Sequence, residues 1–66
     1  MDGLPKEGDR VRFDDPWFYP GTGTVVRVQR HPHEAVLVLV ETIEDKHNQH
    51  KVGKESWILP GHLTLL

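Results

Sequence analysis

The chain contains no cysteine, which excludes disulfide bridges and zinc–thiolate sites anywhere in its 66 residues. Small secreted domains usually depend on such crosslinks, so this composition favours a protein of the cytoplasm. No apolar run reaches the length of a membrane span, and no signal-peptide pattern opens the chain. We therefore expect a small cytoplasmic protein that has no contact with a membrane.

Basic charge and helical periodicity are also scarce. Eight Lys and Arg residues stand against ten Asp and Glu residues, whereas a protein that binds phosphate backbones usually has a basic excess. Six glycines and five prolines interrupt the chain, and no segment between them keeps a 3.6-residue apolar period for three turns. The sequence therefore predicts no helix. Its length predicts a single domain, 1–66, with residues 1–7 as a flexible N-terminal lead.

Short apolar or alternating segments between turn residues predict five short strands. From the N-terminus to the C-terminus, these strands cover residues 9–14, 22–30, 35–43, 54–59 and 63–66. In the first strand, Val11 and Phe13 are expected to face inward, with Arg10 and Arg12 on the solvent side. The pattern is typical of an all-β domain.

The second strand is expected to start with a bend or bulge at Gly21 and Gly23 and to direct Val26 and Val28 inward. The third strand is apolar on both faces, so we expect it to be the most central or the most strongly coiled one. Because only a short turn at residues 31–33 separates these two strands, they are predicted to form an antiparallel hairpin.

The remaining connections differ in character. Two prolines make residues 15–21 an irregular loop, and residues 44–53 form a polar loop. Pro60-Gly61-His62 predicts one 3₁₀ turn before the last strand. Five short strands with a tight break before the last are the pattern of a small, five-stranded, partly open barrel.

Three pieces of sequence carry a resemblance to a known superfamily. They are Gly8-Asp9-Arg10-Val11-Arg12, Gly21-Thr22-Gly23-Thr24-Val25-Val26 and Trp57-Ile58-Leu59-Pro60-Gly61-His62-Leu63. The chain resembles SH3-like barrels, nearest to the KOW and Tudor-like bacterial and phage types, in which "GD-x-V" opens the first strand and "G-x-G-x-V" the second. The last piece is similar to the end of eukaryotic SH3 domains. The resemblance spans Gly8 to Leu66 and implies an SH3-like, five-stranded barrel that binds a partner.

Departures from these families limit what the resemblance implies. His62 and Leu63 stand where eukaryotic SH3 domains carry a tyrosine of the groove for proline-rich peptides, so such a ligand is not implied. The type II dihydrofolate reductases share the scaffold and a similar "GDRVR", but Trp57 and Leu59 replace the working Gln and Tyr of their fourth strand. The resemblance therefore favours a non-enzymatic accessory module without a cofactor, with reductase activity as a remote alternative.

The segment 14–20 is the favoured protein-binding surface because its aromatics are framed by prolines and flanked by carboxylates. Its candidate contact residues are Asp14, Asp15, Trp17, Phe18 and Tyr19, and Trp57 and His62 are expected to contribute at the rim. The partner would be a protein with a basic or proline-containing segment. In the alternative interpretation, Trp17 and Phe18 cover the barrel end and only Tyr19 is exposed.

Trp57 and the histidines each have a simpler interpretation. Trp57 alternates with Glu55 and Leu59, and we favour a structural position for its side chain, inward or at the rim. The histidines form two pairs and a single residue, His31 and His33, His47 and His50, and His62. A metal site needs three or four converging ligands, so we interpret them as solvated loop residues and expect no metal.

A nucleic-acid-binding surface is the alternative function. Arg10, Arg12 and Arg27 are expected on the outward faces of the first two strands, with Arg30 at a strand end, and KOW and Tudor-like barrels use such faces for RNA. We favour a solvated face with cross-strand ion pairs instead. Monomeric and homodimeric states both remain open.

Overall fold

The protein is all-β in the computed structural model, which describes residues 4–16 and 19–66 apart from the side chains of Asp15 and Tyr19. Its strands are β1 (Arg10–Asp15), β2 (Tyr19–Gln29), β3 (Ala35–Ile43), β4 (Glu55–Ile58) and β5 (Leu63–Leu65). Two 3₁₀ segments, Lys46–Lys51 and Pro60–His62, precede β4 and β5. The predictions of an all-β fold with five strands and a 3₁₀ turn before the last one are confirmed.

The strands form one antiparallel sheet in the order β4-β3-β2-β1-β5. The expected barrel is a point of correction: within residues 4–16 and 19–66, the sheet remains open and β4 and β5 each pair on one side only. The 3₁₀ turn at Pro60–His62 carries the chain away from β4, and β5 pairs with β1, with Leu65 opposite Val11 and Leu63 opposite Phe13. The central strand is β2, whereas β3 lies second from an edge.

One face of the sheet carries the core. Val11 and Phe13 of β1 are fully buried, as the alternation predicted. From Ala35 to Val40 in β3, buried residues alternate with partly exposed ones, and Ile43 at the end of the strand is buried after the exposed Glu41 and Thr42. The core consists of Val11, Phe13, Val25, Val36, Val38, Val40, Ile43 and Ile58, with Val28 and Leu63 packed against it. It is therefore aliphatic apart from one phenylalanine.

The inward direction predicted for Val26 is wrong. Val25 is 2% exposed, whereas Val26 is 36% exposed. The cause is an irregularity in the β2–β3 pairing, where Val25 and Arg27 lie opposite the adjacent residues Val38 and Leu37 and Val26 is the extra residue. A second irregularity, between Thr22 and Gly23, confirms the bulge predicted near the glycines.

The predicted loop 15–21 is also too long, because β1 extends to Asp15 and β2 begins at Tyr19. Pro20 lies in β2 opposite Asp14, although it has no N–H for the ladder. Its carbonyl oxygen accepts a hydrogen bond from the backbone N–H of Glu44, at 2.9 Å. The proline therefore joins the start of β2 to the end of β3.

The polar loop predicted at 44–53 contains the 3₁₀ helix Lys46–Lys51. Asp45 caps it, because its carboxylate accepts a hydrogen bond from the backbone N–H of His47, at 3.2 Å. The side-chain amide of Gln49 donates to the backbone oxygens of Ile43 and Asp45. These local contacts hold the connection between β3 and β4.

The inward position considered for Trp57 is wrong. Ile58 is the buried side chain of β4, so the alternate residues face away from the core, and Trp57 is 48% exposed. Leu59, which follows the strand, is 56% exposed. At the other end of the chain, Leu4 and Pro5 are buried although they fall in the segment predicted as a lead. The backbone N–H of Gly8 donates to the carbonyl oxygen of Val25, at 2.8 Å.

Candidate functional site

The hairpin tip between β1 and β2 is the segment on which the sequence predicted protein binding. The two strands pair up to Asp15 opposite Tyr19, so only residues 16–18 connect them. Asp14 and Pro16 are exposed. Trp17 and Phe18 lie outside the described residues, as do the side chains of Asp15 and Tyr19. The pairing makes the tip a short connection on a hydrogen-bonded base.

His62 lies beside this tip. Leu63 of β5 is paired with Phe13 of β1, and the neighbouring positions toward the tip are His62 and Asp14. Asp14 is exposed and His62 is partly exposed. The structure therefore brings two of the predicted binding residues to the same end of the sheet. Residues 14–20 and His62 together are called the tip surface.

Trp57 lies in a different part of the sheet. On the face opposite the core, it forms a cross-strand row with Leu37 of β3 and Arg27 of β2. Leu37 is partly exposed and Arg27 is exposed. Pro20, at the base of the tip surface, is seven residues from Arg27 along β2. The register therefore separates Trp57 from the tip surface, and the sequence offered no means of deciding this.

Arg10 and Arg12 of the predicted arginine stripe form ion pairs with carboxylates. The guanidinium of Arg10 lies 3.1 Å from the carboxylate of Glu41, which also accepts a hydrogen bond from Thr24 at 3.2 Å. Arg12 lies 3.6 Å from the carboxylate of Glu44. These are the cross-strand ion pairs favoured above. Sequence reasoning did not identify Glu41 and Glu44 as the partners, although Glu41 is the residue that interrupts the apolar run of β3.

Arg27 and Arg30 are also exposed, so all four arginines lie on the surface. Beside the first ion pair, the hydroxyls of Thr22 and Thr42 are hydrogen-bonded at 2.7 Å. The middle of the outer face is therefore a neutralised polar network rather than a concentrated positive charge.

A shallow cleft of about 280 Å³ lies between the N-terminal segment and β5. It is lined by Pro5, Val11, Pro60, Leu63, Thr64 and Leu65. Of these described lining residues, Thr64 alone has a polar side chain, so they include no acid–base pair. Among residues 4–16 and 19–66, no group of three or more His, Asp or Glu side chains lies close enough to hold a metal ion.

No family model, curated protein or solved structure matches this chain. Across the part of the chain that the structure describes, no helix has the length and apolar character needed to cross a membrane.

Proposed function

We propose that the chain is a small, non-enzymatic binding module of the SH3-like type, which acts in the cytoplasm and recognises a protein partner through the tip surface. The SH3-like assignment is supported by the short apolar stretch, proline and 3₁₀ turn that lead directly into the last strand. The structure itself shows the coarser feature, one open antiparallel sheet of five strands. The main support for the binding function is the geometry of the β1–β2 hairpin.

That support is the pairing of β1 and β2 down to their last residues. Because the strands are paired up to Asp15 and Tyr19, the backbone on either side of the connection has little conformational freedom to lose when a partner binds. Two of the three residues in this connection, Trp17 and Phe18, are aromatic, and such residues dominate the energetics of protein interfaces. A short hairpin that carries adjacent aromatics is therefore well suited to a protein surface.

Charge indicates the chemistry of the partner. The exposed carboxylate of Asp14 lies at the base of the tip, and Asp15 follows it in the chain. Two acidic residues that are followed in sequence by three aromatic residues favour a segment that carries Lys or Arg, because a cation can contact both a carboxylate and a ring face. The proposed ligand is a basic or proline-containing segment of a protein.

Partner recognition is tested with a partner isolated on the tagged wild-type chain and then purified. Titration should show that Trp17→Ala and Tyr19→Ala each weaken binding by about tenfold or more, as expected for central aromatic contacts. Val52→Ala is the matched control, because Val52 is exposed in the β3–β4 connection and should not affect the affinity. Unchanged affinity in both aromatic variants, with the folded NMR spectrum retained, would rule out the tip surface.

A further inference from the structure

The outer edge of β4 offers backbone hydrogen-bonding groups. The N–H of Val40 donates to the carbonyl oxygen of Lys54, at 2.9 Å, so Lys54 directs its backbone toward β3. In antiparallel pairing, alternate residues direct both backbone groups to the same side. Ser56 and Ile58 therefore face β3, whereas Glu55 and Trp57 direct N–H and C=O away from it. No other strand of the described residues pairs with that side.

The same edge carries exposed apolar side chains. The indole of Trp57 is 48% exposed and Leu59 is 56% exposed. Both lie on the outer face together with the exposed Glu55, because Ile58 takes the inward position. Free backbone groups and apolar side chains on the same residues are features of an edge that accepts another strand.

We propose that β4 pairs antiparallel with β4 of a second copy of this chain, around a two-fold axis at Trp57. In a two-fold pair of strands, one residue must lie opposite its own copy. An axis at Glu55 would place two carboxylates opposite each other, which is destabilising. An axis at Ser56 would place each indole opposite a carboxylate. An axis at Trp57 places the two indoles side by side and Glu55 opposite Leu59 of the second copy.

Leu59 fits this register. Its backbone is extended, with φ −69° and ψ 140°, so the edge continues one residue beyond β4. Its carbonyl oxygen accepts a hydrogen bond from the N–H of His62, at 3.0 Å, and its N–H is directed to the open side by the same alternation. That N–H can donate to the carbonyl of Glu55 in the second copy. In this register the edge therefore matches itself in backbone hydrogen-bonding groups at Trp57, pairs the two indoles and keeps the two Glu55 carboxylates apart.

The dimer goes beyond the proposed function and leaves the tip surface uncovered on both copies. Because the paired edge is short, the interface is small and the dimer should dissociate on dilution. Sedimentation of the wild-type chain should show a mass that rises with concentration from 7.6 kDa toward twice that value. Trp57→Lys places two ammonium groups on the axis and should remain monomeric, with a folded NMR spectrum.

Cysteine crosslinking tests the register, since the chain has no cysteine of its own. Opposed residues of a hydrogen-bonded antiparallel pair have Cα atoms about 5.5 Å apart, within the reach of a disulfide. Under mild oxidation, Trp57→Cys should therefore form covalent dimers about tenfold or more faster than the exposed controls Val52→Cys and Leu65→Cys, because pairing raises the local thiol concentration.

A second pair of variants keeps Trp57 intact. Chains carrying Glu55→Cys and Leu59→Cys should crosslink to each other faster than either chain crosslinks to itself. Equal rates for all positions, or a wild-type chain that stays monomeric at millimolar concentration, would overturn the dimer. Preferential crosslinking of Glu55→Cys to Trp57→Cys would overturn the register. Failure of these tests does not affect the tip surface, which is assayed with a different partner.

Discussion

Gly21 shows at the residue scale how closely β2 packs between its neighbours. A Cβ added at this position would lie 2.2 Å from the carbonyl oxygen of Thr42 and 2.6 Å from Cζ of Phe13. Both distances are well below van der Waals contact, and the carbonyl belongs to a backbone that cannot move independently of β3. The absence of a side chain is therefore a packing requirement at this position.

We predict that Gly21→Ala lowers the free energy of unfolding by about 3 kcal/mol, the upper range for overpacking a well-filled core. The control is Gly61→Ala, because a Cβ added at Gly61 meets nothing within 4 Å. That substitution should change stability by less than about 0.5 kcal/mol. Urea denaturation of the two variants measures the difference, and similar midpoints for both would contradict the close packing at Gly21.

The Arg10–Glu41 ion pair is the second feature at this scale. The side chains of Arg10 and Glu41 are 62% and 38% exposed, so water screens their attraction. We predict a coupling free energy of about 0.2–1 kcal/mol in a double-mutant cycle with Arg10→Ala and Glu41→Ala. The coupling should decrease at high salt. A value above about 2 kcal/mol, or one that is independent of salt, would mean that the pair is buried more deeply than the structure indicates.

At the scale of elements, the bulge in β2 decides which valine enters the core. Val25 and Val26 are adjacent and identical in chemistry, and only the register between Val25 and Arg27 distinguishes them. We predict that Val25→Thr lowers stability by about 1–3 kcal/mol, because it buries a hydroxyl in an aliphatic core. Val26→Thr should change it by less than about 0.5 kcal/mol. Thermal or urea unfolding measures the two stabilities. A larger loss for Val26→Thr than for Val25→Thr would support the register expected from simple alternation.

The same element shows what could be predicted from the sequence. The bounds of β3, Ala35–Ile43, follow from a largely apolar run between two polar turns, and the inward side of β1 follows from local alternation; both agree with the structure. The bulge at Val26 does not follow from it, because a bulge depends on the strand opposite and not on the residues themselves. The 3₁₀ helix Lys46–Lys51 was not predicted either, because an Asp such as its cap Asp45 is equally common in turns.

The candidate site could be predicted only in part. Alternation in β4 correctly grouped Trp57 with Glu55 and Leu59, but it could not tell which of the two groups fills the core. Ile58 is the inward residue because β4 pairs with β3 so that Ile58 lies opposite Val36. That pairing also leaves the open edge used in the proposed dimer. Such an edge is a property of strand order, which no local pattern reveals.

At the scale of the whole molecule, the strand order places β1 between β2 and β5, so both ends of the chain contribute to one core. Val11 and Phe13 are fully buried although β5 has only three residues. Leu65 and Leu63 lie opposite them on β5, and Leu63 packs against the core. A chain of this size has little stability to spare, so the loss of one edge strand should affect the whole fold.

We therefore predict that a chain ending at His62 loses cooperative unfolding and the dispersed NMR spectrum of a packed core. Such a chain would lack one of the two strands that pair with β1 and would expose Val11 and Phe13 to water. The control is a chain that lacks only Leu66, which is 69% exposed and whose N–H donates to the carbonyl oxygen of Arg10. Losing one exposed hydrogen bond should cost about 1 kcal/mol or less. If the chain ending at His62 still unfolded cooperatively with nearly full stability, β5 would be an accessory strand and the core would be closed by β1 to β4 alone.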